Sequence, residues 1–153
     1  MTYKPSSIAL ELFHQARMKQ QIFEKVKDKY LELNSELNDI AAAVCNFSQY
    51  KRGCYLLCTV DMEPQGDRGP FYHGSLWLIA DVNLIRPKAD SLKPEFRYLS
   101  RQVDAQDQEG NLLTGVREEY LYPSVQGHFR EPTIKELIEF KKTLKVKRER
   151  HQK

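Results

Sequence analysis

From Ser6 to Tyr50 the chain has neither glycine nor proline, and its apolar residues recur at helical spacing. Ile22, Val26, Tyr30, Leu33, Leu37, Ile40 and Val44 follow one another at steps of 4, 4, 3, 4, 3 and 4. An α-helix turns once in about 3.6 residues, so these side chains share one face. The spacing predicts a helix over residues 8–45. Lys4-Pro5-Ser6-Ser7 leads into it with a serine cap, and Asn46 is the expected left-handed stop. At 1.5 Å per residue such a helix is roughly 55 Å long. A compact domain of this size is nearer ~30 Å across. A helix longer than its own domain is an interaction device, through self-association or by docking in a partner's groove. The mean step from Ile22 to Val44, about 3.67, implies a straight or slightly right-handed stripe rather than a left-handed coiled coil. Phe13, Ala16, Phe23, Leu31 and Ala41 lie partly off that stripe and widen the apolar face.

After Asn46 the period changes to two. Cys54, Leu56, Cys58, Val60 and Met62 alternate with Tyr55, Leu57, Thr59 and Asp61, which predicts a central strand. Turn residues crowd Glu63 to Pro70. A second strand then sets Leu76, Leu78, Ala80, Val82 and Leu84 against Ser75, Trp77, Ile79, Asp81 and Asn83, and Pro87 ends it. Phe96–Val103 and Leu112–Tyr122 read as a third and a fourth strand, with Gly110-Asn111 in the hairpin loop between them. Thr133-Ile134-Lys135-Glu136 is a capping box that opens a last helix over 133–150. The order is a long helix, a four-stranded antiparallel meander over 51–122 and a C-terminal helix with a basic end. This is an α+β arrangement in a single domain over 1–153.

Composition excludes several classes. A chain that is 41% hydrophobic and 29% charged is too apolar for a disordered protein. No apolar run reaches the ~20 residues a membrane span needs, and the first residues lack a secretory pattern. The expectation is a cytoplasmic protein without a membrane partner. Cys45, Cys54 and Cys58 fit no metal-site spacing. In a strand, Cys54 and Cys58 would stand roughly 13 Å apart, beyond the ~7 Å reach of a disulfide. They read as buried thiols, and no cofactor or metal is expected.

The net charge of +3 is unevenly placed. Residues 123–153 carry nine Lys+Arg against four Asp+Glu, so the whole surplus lies there. Lys141, Lys142, Lys145, Lys147, Arg148 and Arg150 form a basic end suited to phosphates or an acidic partner. Tyr55, Trp77, Phe96 or Tyr98, and Tyr120 suggest an aromatic sheet face on which single strands could stack. His73, near Asp61 and Asp81, is the candidate general base of a small hydrolase. No Gly-x-Ser-x-Gly, His-Glu-x-x-His or phosphate-binding glycine loop accompanies it.

The leading expectation is a non-catalytic binding or adaptor protein. It acts through protein contacts of the helix face Ile22, Val26, Tyr30, Leu33, Leu37 and Ile40 and of the sheet, and it forms a homo-oligomer. A nucleic-acid-binding protein using the basic end and the aromatic face is the alternative, and the His73 hydrolase is the second alternative.

Overall fold

The structure, a computed structural model, describes residues 4–147. Its elements run α1 (Ser7–Cys45), β1 (Tyr55–Cys58), β2 (Leu76–Leu84), β3 (Phe96–Gln106), β4 (Leu112–Leu121), α2 (Pro123–Gln126), β5 (Phe129–Arg130), α3 (Ile134–Thr143) and β6 (Lys145–Val146). The fold is α+β, as the residue pattern implies. The sheet is larger than the four-stranded meander expected, because two short strands join it. Its order is β4-β3-β2-β1-β5, with β6 parallel to β3. The chain divides into two units, residues 1–41 and 42–153.

Residues 7–41 of the first unit belong to α1, which runs unbroken for 39 residues to Cys45. The Ser6 hydroxyl accepts a hydrogen bond from the Ala9 amide at 3.2 Å and caps the first turn. At the other end Asn46, Phe47 and Ser48 donate to the carbonyls of Ala43, Val44 and Cys45. That tightened turn replaces the left-handed stop expected at Asn46. Among the described residues only glycines take a positive φ.

The second unit is built on the sheet. Leu56 faces Trp77 across the β1–β2 ladder, and Trp77 and Ile79 face Gln102 and Ser100 on β3. The register then slips, so that Asp81 meets Leu99 and Val82 meets Tyr98. Ala80 is the extra residue of a bulge. Simple alternation places Trp77 and Val82 on opposite faces. The bulge turns the strand over, so both reach the same core.

That core gathers Tyr50, Leu56, Cys58, Phe71, Trp77, Ile79, Tyr98, Leu121, Val125 and Phe129. Phe71 packs edge-on to Trp77 at 5.0 Å and to Phe129 at 5.2 Å. Arg117 lies 5.0 Å from the Trp77 ring and bonds the Pro70 carbonyl. Ser100 is fully buried and donates to the Glu119 carbonyl at 2.8 Å, so its hydroxyl is satisfied.

The opposite face of the sheet has a smaller buried set. Leu76, Val103 and Ala105 are nearly inaccessible and stand outside the main cluster. The Gln106 amide ties this side to the C-terminal segment, donating to the carbonyls of Lys141 and Leu144.

The hairpin between β3 and β4 forms where Gly110-Asn111 predicts it. Gly110 has φ 83°, a conformation that side-chain-bearing residues rarely adopt. The Asp107 carboxylate accepts from the Glu109 and Asn111 amides. Those bonds, led by that of Asn111, hold its carboxyl below the usual range. The capping box of α3 is also present, Thr133 and Glu136 each bonding the other's backbone amide.

Truncating Trp77 removes the largest buried side chain of the sheet. Trp77→Ala should cost about 3–5 kcal/mol of unfolding free energy in urea titrations. Val116→Ala, on a fully exposed side chain, should stay within about 0.5 kcal/mol of the parent.

Candidate functional site

Among the described residues, helix α1 carries more of the exposed large apolar side chains than any other element. At about 100° per residue, the seven residues Ile22 to Val44 project within an arc of roughly 80°. No residue of α1 is buried. Ile22, Val26, Tyr30, Leu33 and Ile40 are each more than half exposed; Leu37 and Val44 are half-buried. The structure therefore gathers every residue of the expected interface on one face of one continuous helix. Phe23, 60% exposed, borders the same face.

The basic end is arranged differently from expectation. The helix expected over 133–150 stops at Thr143, where Leu144 takes an extended conformation. Lys141 and Lys142 fall in its last turn, where cations favour the helix dipole. Lys142 pairs with Glu139 at 3.2 Å. Lys145 lies in β6, and the backbone amide of Lys147 donates to the Gln106 carbonyl. The Lys145 and Lys147 side chains are exposed. Arg148 and Arg150 lie outside the described residues.

The aromatic sheet face does not form. Trp77 and Tyr98 are buried in the main core and Phe96 packs against it. Tyr55, one residue from Leu56, belongs to the other face. Tyr120 is partly exposed, with the Arg97 guanidinium 4.5 Å from its ring and Tyr122 beside it. Trp77 faces Gln102, and Gln102, Ser100 and Tyr98 alternate on one side of β3, so Trp77 and Tyr98 do share a face, but it is the face that carries the core.

His73 is exposed, and its backbone amide donates to the Asp61 carboxylate at 2.8 Å. The carboxylate thus holds the turn ahead of β2. His73 lines a groove of about 770 Å³ with Leu57, Thr59, Lys135, Phe140 and Thr143. The groove is mostly apolar and does not include Asp61 or Asp81. Arg130 and Glu136 stand at its edge in a two-pronged ion pair, both contacts 2.7 Å. This pair was not singled out from the sequence. The capping box was its one visible signal, since it directs the Glu136 carboxylate toward the start of α3.

The thiols do not come together. All three cysteines are free. Cys54 precedes β1 and donates to the Glu131 carboxylate at 3.0 Å. Partial burial, that bond and the Glu131 charge push its thiol up to about 11, against an opposing hydrogen bond from Lys51. Burial also raises the Cys58 thiol. Among the described residues no group of three His, Cys, Asp or Glu side chains is placed to hold a metal ion, and no helix is long and apolar enough to cross a membrane.

No family model, no curated protein and no solved structure matches this chain. The functional reading accordingly rests on the residues themselves.

The Arg130 guanidinium, with the Thr133 hydrogen bonds, holds the Glu136 carboxyl at about 2, below its ordinary 4.5. A carboxyl depressed on folding stabilises the native state above its unfolded value, and that contribution fades as pH falls toward the folded value. Arg130→Ala should raise the Glu136 titration midpoint, followed by the carboxyl carbon shift in NMR. The stability difference between parent and variant should be present at pH 7 and shrink between pH 4.5 and about 2.

Proposed function

We propose that this chain is a non-catalytic binding or adaptor protein whose contacts are made by the apolar face of α1. The observation that carries this reading is the exposure of Val26, Tyr30, Leu33 and Ile40, each above 50% on a single face. Fully burying one such aliphatic side chain contributes about 1.5–3 kcal/mol. A helix that leaves a row of them in water gains that energy only by meeting another surface. Contiguous apolar patches of this kind mark protein interaction sites. The polar residues between them, among them Lys25, Lys27, Asp28 and Lys29, keep the rest of the helix solvated and favour a protein groove over a lipid surface.

The basic end supports a secondary reading, contact with nucleic acid or an acidic partner through Lys141, Lys142, Lys145 and Lys147. With Trp77 and Tyr98 in the core, such binding would be electrostatic and sequence-independent. Each phosphate contact then lowers log affinity by about 0.9 per tenfold rise in salt.

Val26→Asp with Leu33→Asp tests the main reading at two positions that bear no load in the lone chain. The double variant should keep its helical circular dichroism and lose assembled mass in light scattering, or lose partners cross-linked through Lys25, Lys27 or Lys29. Retention of every assembly and every such cross-link by a folded variant would remove α1 from the function. Replacing Lys141, Lys142, Lys145 and Lys147 with Gln should leave that assembly unchanged and abolish any salt-sensitive binding to single- or double-stranded nucleic acid.

A further inference from the structure

We propose that α1 pairs with α1 of a second copy of this chain as an antiparallel coiled coil, in the register that sets Lys29 against Glu36 of the second copy. The proposal rests on the binding role of α1 and names the partner.

The argument begins with one change of residue. Counted from Phe23 instead of Ile22, the stripe reads Phe23, Val26, Tyr30, Leu33, Leu37, Ile40 and Val44, at steps of 3, 4, 3, 4, 3 and 4. Its mean is about 3.5, the heptad period of a left-handed coiled coil. Backward from Phe23 the same alternation continues through Lys19, Ala16 and Leu12. The a positions are Ala16, Phe23, Tyr30, Leu37 and Val44; the d positions are Leu12, Lys19, Val26, Leu33 and Ile40. The right-handed stripe inferred from Ile22 arises because Ile22 sits at g, beside the seam rather than in it. Phe23, Val26, Tyr30, Leu33 and Ile40 are all more than half exposed, so the seam is open at these five positions in the lone chain, with Leu37 and Val44 half-buried.

Shape and charge then select the orientation. Two-stranded parallel coils favour β-branched residues at a, where each side chain meets its own copy. Here a parallel pair would stack Phe23 on Phe23 and Tyr30 on Tyr30. In an antiparallel pair a meets d. When residue numbers across the seam sum to 63, Phe23 faces Ile40, Tyr30 faces Leu33 and Leu37 faces Val26. Each large ring then meets an aliphatic partner.

The g positions decide between antiparallel registers. In this one Lys29 lies beside Glu36 of the second copy, and the twofold axis makes the contact twice. Shifting by one heptad either brings Lys29 onto Lys29 and Lys27 onto Lys27, or brings Glu36 onto Glu36. A further shift pairs Lys29 with Ile22. A parallel pair would set Lys29 against Asn34 and Glu36 against Ala41. One register among these joins opposite charges and opposes none alike. In the lone chain Lys29 lies 3.4 Å from Glu32, and both side chains are well exposed, so Lys29 is already on the solvent side of the helix. Lys19 meets Val44, its aliphatic stem along the seam and its ammonium at the edge. The paired region, 18–45 on both copies, spans roughly four heptads, enough for a sustained coil.

The test is sedimentation equilibrium of the full chain, with circular dichroism of each variant. Lys29→Glu and Glu36→Lys should each weaken the dimer about 3- to 30-fold, and the two together should restore it to within about 2-fold. A spin label at Gln21, in a chain with Cys45→Ser and Cys54→Ser, should report an axial separation of roughly 32 Å between copies. A parallel pair brings those labels side by side. Rescue with the long distance supports the proposal. A monomer persisting to several hundred micromolar overturns it and leaves α1 free to grip a different protein. A trimer, a tetramer or a dimer without rescue overturns the register. A dimer that survives Val26→Asp with Leu33→Asp overturns both this proposal and the binding role of α1.

Discussion

The cross-strand contact between Leu56 and Trp77 is the one on which the sheet depends. Both residues are sealed from water, and they join β1 to β2 at the point where Phe71 packs edge-on to the indole and Phe129 packs against Phe71. Around this centre the unit spanning 42–153 satisfies its own demands. Its rings are packed edge to face, its buried serine is bonded, and no buried side-chain nitrogen or oxygen among the described residues lacks a hydrogen-bond partner. Helix α1 is the opposite case. Its backbone is bonded within itself, yet its apolar face is left to solvent. Among the described residues the buried core therefore lies in the sheet unit, and α1 exposes a row of apolar side chains.

Much of this was legible in the residues, for identifiable reasons. The helix and the β-region differ in period, and each period holds over many residues, so tertiary context had little room to override it. The Gly110-Asn111 hairpin and the Thr133–Glu136 cap were visible because both are local chemistry, decided within about five residues. The bulge at Ala80 was not. It inserts the small apolar Ala80 between Ile79 and Asp81, so the alternation of Leu76 to Leu84 looks unbroken from the sequence. A period-two pattern cannot report its own phase slip when both faces are buried. The aromatic platform failed for a different reason: Trp77 and Tyr98 share a face, and alternation alone does not say which face the core covers.

The basic end was misjudged by a related mechanism. Lys141 to Lys147 contains good helix formers, and propensity favours continuing the helix. The structure instead spends Lys145 and Val146 on two rungs beside Ala105 and Gln106. Gln106 braces the end of α3 by donating to the carbonyl of Lys141, which also accepts from the Leu144 amide, and to the carbonyl of the cap residue Leu144. A long-range contact of this kind leaves no trace in local composition. The heptad seam was hidden differently, since Ile22 and Phe23 both lie near the apolar face. Their choice changes the period from about 3.67 to about 3.5, and with it the handedness of any supercoil.

The outer border of the sheet carries a further consequence. Strand β4 lies at the end of the order, where unpaired backbone groups invite another strand. Between Arg101 and Val103 its pairing with β3 skips from Glu118 to Thr114, leaving Gly115, Val116 and Arg117 out of ladder step. Val116 stands wholly in water. Such a crumpled hem offers no straight template for strand-by-strand growth. The irregular rung spacing thereby discourages lateral extension of the sheet from this flank.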